Sequence, residues 1–427
     1  MAAQECTRKD TAAGPCEAVG QGDGRVVRAA HPRTATGPTA TAGGAPLGIY
    51  AKTHSPPSGA DPETGEVAGD SRRDHRQLRA ERWALKSMAN RLLPRDHRTT
   101  KCHRWRVPKL EIQVLRGGEH SRAFYHGLQV CSSVWCCPVC ASKISERRRV
   151  ELAAAIATAQ AMGWRVYLLT LTVPHGLGDD VAVMLDQMTK AWSRLNQGKS
   201  GEKLRSAIGL QGTVRALEVT HGANGFHPHF HALLFLDCEL TPEDVQAIVS
   251  PRWQTVAVRA GLPRPSDAHG CRVDGGEKAA AYVAKGSGWG LESELTKGHQ
   301  KRGKQGSRTP WDLLRDALDG DRAAGALFRV YAEAFHGRRQ LYWSNGLKKR
   351  LAVADFSDEE IANRPEDTPS LLLAQLSDEQ WAAVRRLHFE SAVLDLAEAD
   401  PDGLRDFLQR LTVTVTEKEA SCPIQPS

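Results

Sequence analysis

At 427 residues with 41% hydrophobic content, the chain can bury a sizeable core and is long enough for two or three structural units. It contains no run of about eighteen apolar residues, and its start, MAAQECTRKDTAAGPCEAVG, has no basic segment leading into an apolar core. A membrane span and a secretory leader are therefore not expected, and a cytoplasmic protein is. The formal charge of +7 is modest, but residues 71–150 hold 19 Lys/Arg against 6 Asp/Glu while residues 353–427 hold 6 against 16. Either the basic front binds a polyanion and the acidic rear is a separate tail, or the two surfaces pair within the molecule.

Residues 1–70 are rich in Gly, Ala, Pro and Thr and are expected to be disordered, because they offer too little apolar surface to offset ordering. Residues 71–93 read as a basic amphipathic helix ended by Pro94, with Leu78, Trp83, Leu85 and Leu92 among its arginines. Short strands follow at residues 110–115 and 123–130, then a helix over residues 141–162. The run Val166 to Val173, closed by Pro174, has the β-branched and aromatic make-up of a central strand. Val181, Met184, Leu185, Met188, Trp192 and Leu195 then recur at helical spacing.

Residues 212–219 and 229–236 read as a hairpin across the turn His221 to Gly225. Thr241 with Pro242 opens a helix expected to reach about residue 260. A short strand at 271–273, a helix over 277–285, a basic mobile loop over 286–309, helices over 311–318 and 323–335 and a strand at 340–343 complete the pattern. This divides the chain into a disordered segment (1–70), a basic cysteine-containing region (71–150), a main domain (151–350) and an acidic helical tail (351–427).

Ten cysteines in a chain of this size without a leader read as metal ligands or unligated thiols rather than disulfides. Cys137-Pro-Val-Cys140 has zinc-knuckle spacing, and Cys131 and Cys102 complete a four-thiolate structural zinc site; a redox pair is the other reading. Cys136 either replaces Cys137 or is a buried thiol. Arg147, Arg148 and Arg149 stand next to this knuckle and are candidate phosphate contacts.

The most informative stretch is Phe226-His227-Pro228-His229-Phe230-His231. Residues two apart on a strand share a face, so His229 and His231 project together and can offer two nitrogens to one divalent ion. Glu218, near the end of the neighbouring hairpin strand, is the natural third ligand unless it pairs with an arginine. Tyr282 lies among small residues on a helical segment, with Lys278 one turn before and Lys285 one turn after. A phenol flanked by ammonium groups suits a nucleophile that seeks phosphate.

The order of Leu169-Thr-Leu-Thr172, His229-Phe-His231 and Tyr282-Val-Ala-Lys285 resembles the three-motif signature of HUH endonucleases. Trp135-Cys-Cys-Pro-Val-Cys-Ala-Ser-Lys-Ile144, His227-Pro-His-Phe-His231 and Trp343-Ser-Asn-Gly-Leu347 resemble more narrowly the plasmid rolling-circle replication-protein family, over about residues 100–350. The resemblance implies an α+β fold, a central antiparallel sheet flanked by helices. It implies nicking of origin DNA by Tyr282, with a free 3′-hydroxyl, a 5′-phosphotyrosine link and later rejoining. Mg²⁺ or Mn²⁺ on His229, His231 and Glu218 would polarise the phosphate, Lys285 would position it, and Lys278 would join Tyr282 at the DNA. Origin DNA is the implied partner, with host helicase and polymerase downstream. Some relatives carry a glutamate one turn before the tyrosine to activate water in the terminating cut; here that position is Lys278, and Glu277 is one residue off. An HUH transposase or relaxase would share the chemistry, and a noncatalytic zinc-containing DNA-binding regulator would share the ligands without it.

Overall fold

The computed structural model describes residues 71–117, 122–284, 307–363 and 370–420; the expected disordered segment 1–70 and most of the expected mobile loop lie outside these. The described residues all belong to one compact unit, Glu66–Ser427. Its centre is a five-stranded antiparallel sheet in the order β6-β3-β5-β4-β7. The strands are β3 (Arg165–Leu171), β4 (Leu210–Gly222), β5 (Gly225–Leu236), β6 (Cys271–Asp274) and β7 (Leu341–Trp343). A second sheet has the order β2-β1-β8, from β1 (Ile112–Gly117), β2 (Arg122–His126) and β8 (Leu371–Leu376).

β4 and β5 form the longest pair, a hairpin that closes at Gly222 opposite Gly225. Gly225 takes φ +85°, and a Cβ there would stand 3.2 Å from the Gly176 carbonyl oxygen, so only glycine fits this turn comfortably. Strand alternation sorts the side chains of the central sheet into two layers. On one face Leu169, Leu171, Leu217, Phe230, Ala232 and Leu234 are buried with Trp192 and Trp253. These two tryptophans come from helices α1 (Val181–Asn196) and α2 (Pro242–Arg259). Helix α2 starts on a capping box between Thr241 and Asp244, as its sequence predicts.

On the other face Val166, Leu168, Val214, Ala216 and Leu233 pack with Leu152, Ala155 and Ala279. Leu152 and Ala155 come from the long helix α3 (Pro138–Ala161), and Ala279 from the short helix α4 (Gly276–Ala284) that follows β6. One face of the sheet is thus roofed by the helix that begins at the cysteine cluster and by the helix that contains Tyr282.

The region after residue 350 is mainly helical, as expected, but one unexpected strand joins it to the front of the chain. Leu371–Leu376 is a strand that pairs with β1 along Ile112 to Arg116. Trp381, Val393, Leu394, Leu404 and Leu408 close a core of their own over Ile112 and Val114. Part of the basic front pairs with the acidic rear within the molecule. Arg79, on the first helix (Ser71–Leu92), has a side chain only 5% exposed and pairs with Asp395 and with Glu398, while Arg106 meets Asp378 at 3.3 Å. Glu398 also accepts from the Ala123 backbone N–H at 2.8 Å. Removing one member of a buried ion pair strands the other charge, so Arg79→Ala is expected to lower stability by about 3–5 kcal/mol. Urea unfolding checks this, and a change under about 1 kcal/mol would contradict it.

A histidine and glutamate triad beside a tyrosine helix

Register alone brings the triad together. Glu218 on β4 stands directly opposite His229 on β5, and His231 stands opposite Ala216 on β4 and Thr170 on β3. The Glu218 Oε2 lies 3.5 Å from His229 Nε2 and 3.7 Å from His231 Nε2. All three ligand atoms fall within 4.8 Å of one another. The expected third ligand is therefore beside both imidazoles, on the sheet face that α4 covers.

Each ring is held by its other nitrogen. His229 Nδ1 lies 3.2 Å from the His227 carbonyl, to which it donates, and His231 Nδ1 lies 2.9 Å from Thr170 Oγ1. With Nδ1 carrying the ring proton, release of the Nε2 proton that Glu218 attracts leaves an Nε2 lone pair on each ring directed to the same space, the form a cation requires. Burial alone would depress the pKa of His229, but the hydrogen bond and charge of Glu218 outweigh it and raise the value. For His231, burial wins over the attraction of Glu218 and the value falls. One carboxylate facing two largely buried imidazoles is a donor set of two nitrogens and an oxygen, which suits a divalent cation.

Thr170 belongs to the apolar strand motif, and its role as a hydrogen-bond partner of His231 emerges only from the β3–β5 register. Thr170→Val is expected to weaken Mn²⁺ binding about 10- to 100-fold while leaving the fold intact. Titration calorimetry reads this directly, and unaltered affinity would rule out the positioning role.

Tyr282 lies on α4, three residues after the buried Ala279, and Lys285 lies outside the described residues. Lys278 is exposed and pairs with Asp274 at 2.7 Å. Glu277 is also exposed, in the first turn of the same helix.

The four expected cysteines converge. The Sγ atoms of Cys102, Cys131, Cys137 and Cys140 lie within 4.8 Å of one another, all buried. The separations are 3.7 Å for Cys102–Cys137, 3.5 Å for Cys102–Cys140 and 3.7 Å for Cys131–Cys140. Disulfides would need about 2.05 Å. A tetrahedral zinc site with Zn–S bonds of about 2.3 Å has sulfur–sulfur edges of roughly 3.8 Å, so the thiols fit such an ion closely. Hydrogen bonding with the thiols of Cys102, Cys137 and Cys140 holds the pKa of Cys131 well below the ordinary thiol value, while the hydrogen bond to Cys131 raises that of Cys102 well above it. Cys136 stands outside the cluster, and burial pushes its thiol up to about 12.

Of the arginines next to the knuckle, Arg148 is committed within the fold. Arg148 is buried, bonded to Glu151 at 2.7 Å, to Asp358 at 2.8 Å and to the Phe356 carbonyl at 2.7 Å. Arg149 pairs with Glu146, and the Arg147 guanidinium sits over the Phe356 ring. Trp135 is likewise turned inward, donating to the Arg338 carbonyl at 2.7 Å. The Asp358 carboxylate and the Phe356 carbonyl explain why Arg148 is drawn inward.

Comparison with known proteins places the chain in a family. The family model described as "Replication protein" matches residues 123–370, more than half of the chain. The chain belongs to this replication protein family. It is 30% identical over 359 residues to "Protein rep" of Streptomyces lividans, covering 66% of this chain and 77% of that protein. It is also 30% identical over 135 residues to a protein named "Neomycin resistance protein" from Streptomyces cyanogenus, covering 26% of this chain and 31% of the other. No solved structure matches. The matched span of this replication protein begins in β2 and ends just before β8, and it includes the whole triad and α4. Among the described residues no helix is long and apolar enough to cross a membrane.

Proposed function

We propose that the chain initiates rolling-circle replication by nicking one strand of its origin DNA and later rejoining it. The observation that carries this reading is the Glu218, His229 and His231 triad on the sheet face against which the tyrosine helix packs. In the proposed step the Tyr282 oxygen attacks a backbone phosphorus. A phosphorus–oxygen bond to tyrosine forms, the bond to the 3′ oxygen breaks, the phenol loses its proton and the departing 3′ oxygen takes one up. The products are a 5′-phosphotyrosine link and a free 3′-hydroxyl, and reversal rejoins the strand. No nucleotide hydrolysis is needed, because the phosphodiester energy is kept in the covalent link.

Glu218, His229 and His231 would hold Mg²⁺ or Mn²⁺, which when bound supplies positive charge to a phosphate oxygen. Thr170 and the His227 carbonyl keep the imidazoles oriented, and Lys285 would steady the phosphate next to Tyr282. Lys278, held by Asp274, occupies the position one turn before Tyr282 where a glutamate would stand, and Glu277 is the nearest carboxylate in sequence for activating the terminating water. Cys102, Cys131, Cys137 and Cys140 would hold structural Zn²⁺. Origin DNA would be the substrate, with host helicase and polymerase acting on the exposed 3′ end.

The direct test is incubation of the full chain with single-stranded origin oligonucleotides and Mn²⁺ or Mg²⁺. Cleavage should leave a protein–DNA adduct that survives denaturing electrophoresis, and both products should vanish in a His229→Ala/His231→Ala variant. Native protein that binds the origin but never cleaves it would defeat the proposal.

A further inference from the structure

The sheet face opposite the triad carries a second polar feature. Arg215 lies on β4 three residues before Glu218, roughly 10 Å along the strand, and alternation turns it to the other side. It is 8% exposed, and among the described residues no carboxylate pairs with it. Its Nε has no hydrogen-bond partner. Aromatic rings surround it instead: the guanidinium lies 4.5 Å over the ring of Phe230, 5.7 Å from that of Tyr342 and 5.9 Å from that of Trp192. Burial among these rings lowers its pKa to about 10, still far above neutrality, so the group remains a cation. A buried cation with no anion beside it is costly to keep unless something supplies one.

Arg215 lines a cleft of about 730 Å³, the size of a small-molecule site. Trp192 and Tyr342 also line it, and the amide side chains of Asn196, Gln197 and Asn345 face the same space. Aromatic faces stack bases, amides read their edges and a guanidinium holds phosphate. Asn345 comes from the Trp343-Ser-Asn-Gly-Leu347 segment, which the triad chemistry leaves without a role.

We propose that this cleft binds a nucleotide, its base against Tyr342 and its phosphate drawn to Arg215. The inference rests on the replication reading only in expecting that the nucleotide belongs to a DNA strand held away from the cutting site. Free mononucleotide offers the same chemistry, and the test separates the two sources.

Full-length protein carrying His229→Ala and His231→Ala removes the triad and leaves the cleft untouched. In that background, anisotropy of a labelled mixed-sequence single-stranded 12-mer and calorimetry with dAMP are compared before and after Arg215→Met. Loss of at least about tenfold in 12-mer affinity is expected, the size of one charge-assisted contact. If only dAMP binding depends on Arg215, the cleft takes free nucleotide. Asn345→Ala, at the exposed rim, and Tyr342→Leu are expected to weaken the same probe, and they decide the matter should Arg215→Met not fold. Unchanged affinity for both probes in folded variants would make Arg215 a packing residue and overturn the proposal. Because cleavage is not the readout, that result would leave the nicking reading standing.

Discussion

Tyr282→Phe is expected to abolish cleavage and the covalent DNA adduct while leaving the melting temperature and DNA affinity close to those of the native chain. The substitution removes one oxygen and keeps the ring, and α4 is anchored on the sheet through Ala279, four-fifths of a turn earlier. Structural damage should be small. A nucleophile cannot be replaced by its neighbours, so the rate of cutting should fall by about three orders of magnitude or more. Time courses with Mn²⁺ and a labelled single-stranded origin, read on denaturing gels, measure both losses at once. Cutting at the native rate by the phenylalanine variant would move the nucleophile elsewhere and detach α4 from the chemistry. A triad variant that loses cutting but binds DNA normally would then still locate the cation site.

The central hairpin was legible because its signals are local. Val166 to Val173 is β-branched and aromatic, His221 to Gly225 carries turn residues, and period-two alternation alone aligns His229 with His231. Glu218 could be assigned because a hairpin of known turn fixes which residues face one another, and the register of β4 on β5 places it opposite His229. The cysteine set followed from ligand spacing, although the choice between Cys136 and Cys137 needed the fold: Cys137 caps α3, and Cys140 lies in its first turn.

Features that depend on distant partners were not legible. Leu371-Leu-Leu-Ala-Gln-Leu376 has no β-branched residue and no alternation, and it is a strand because β1, far away in sequence, offers an edge. Helix Gly198–Ala207 contains two glycines, a poor intrinsic helix former, so its sequence gave little sign of it. Arg148 reads as a surface cation until Asp358 and the Phe356 carbonyl arrive from the rear of the chain. Arg215 is hidden for the opposite reason: one charge inside an apolar strand has no periodicity to betray it.

Cys137→Ser/Cys140→Ser should cost the chain far more than any single core substitution. The four thiols tie together three separate segments: the end of the short helix Arg98–Lys101, the loop after β2 and the start of α3. α3 in turn roofs the sheet face that carries the triad, through Leu152 and Ala155. Four-thiolate zinc sites contribute about 10–16 kcal/mol of binding free energy, as much as the whole net stability of an ordinary domain, about 5–15 kcal/mol. The double variant is therefore expected to lose the metal and to unfold, or to melt by tens of degrees lower. Elemental analysis of the native chain should find one zinc per chain, and strong chelation should mimic the variant. Cys136→Ala is the control: its thiol is buried but outside the cluster, so it should keep the zinc and lose only about 1 kcal/mol. A double variant that melts like the native chain would show that the clustered thiols pack as apolar groups and carry no ion. Origin binding by a folded, zinc-free form would further show that the knuckle does not present basic side chains to phosphate. The inward pairing of Arg148 already points that way.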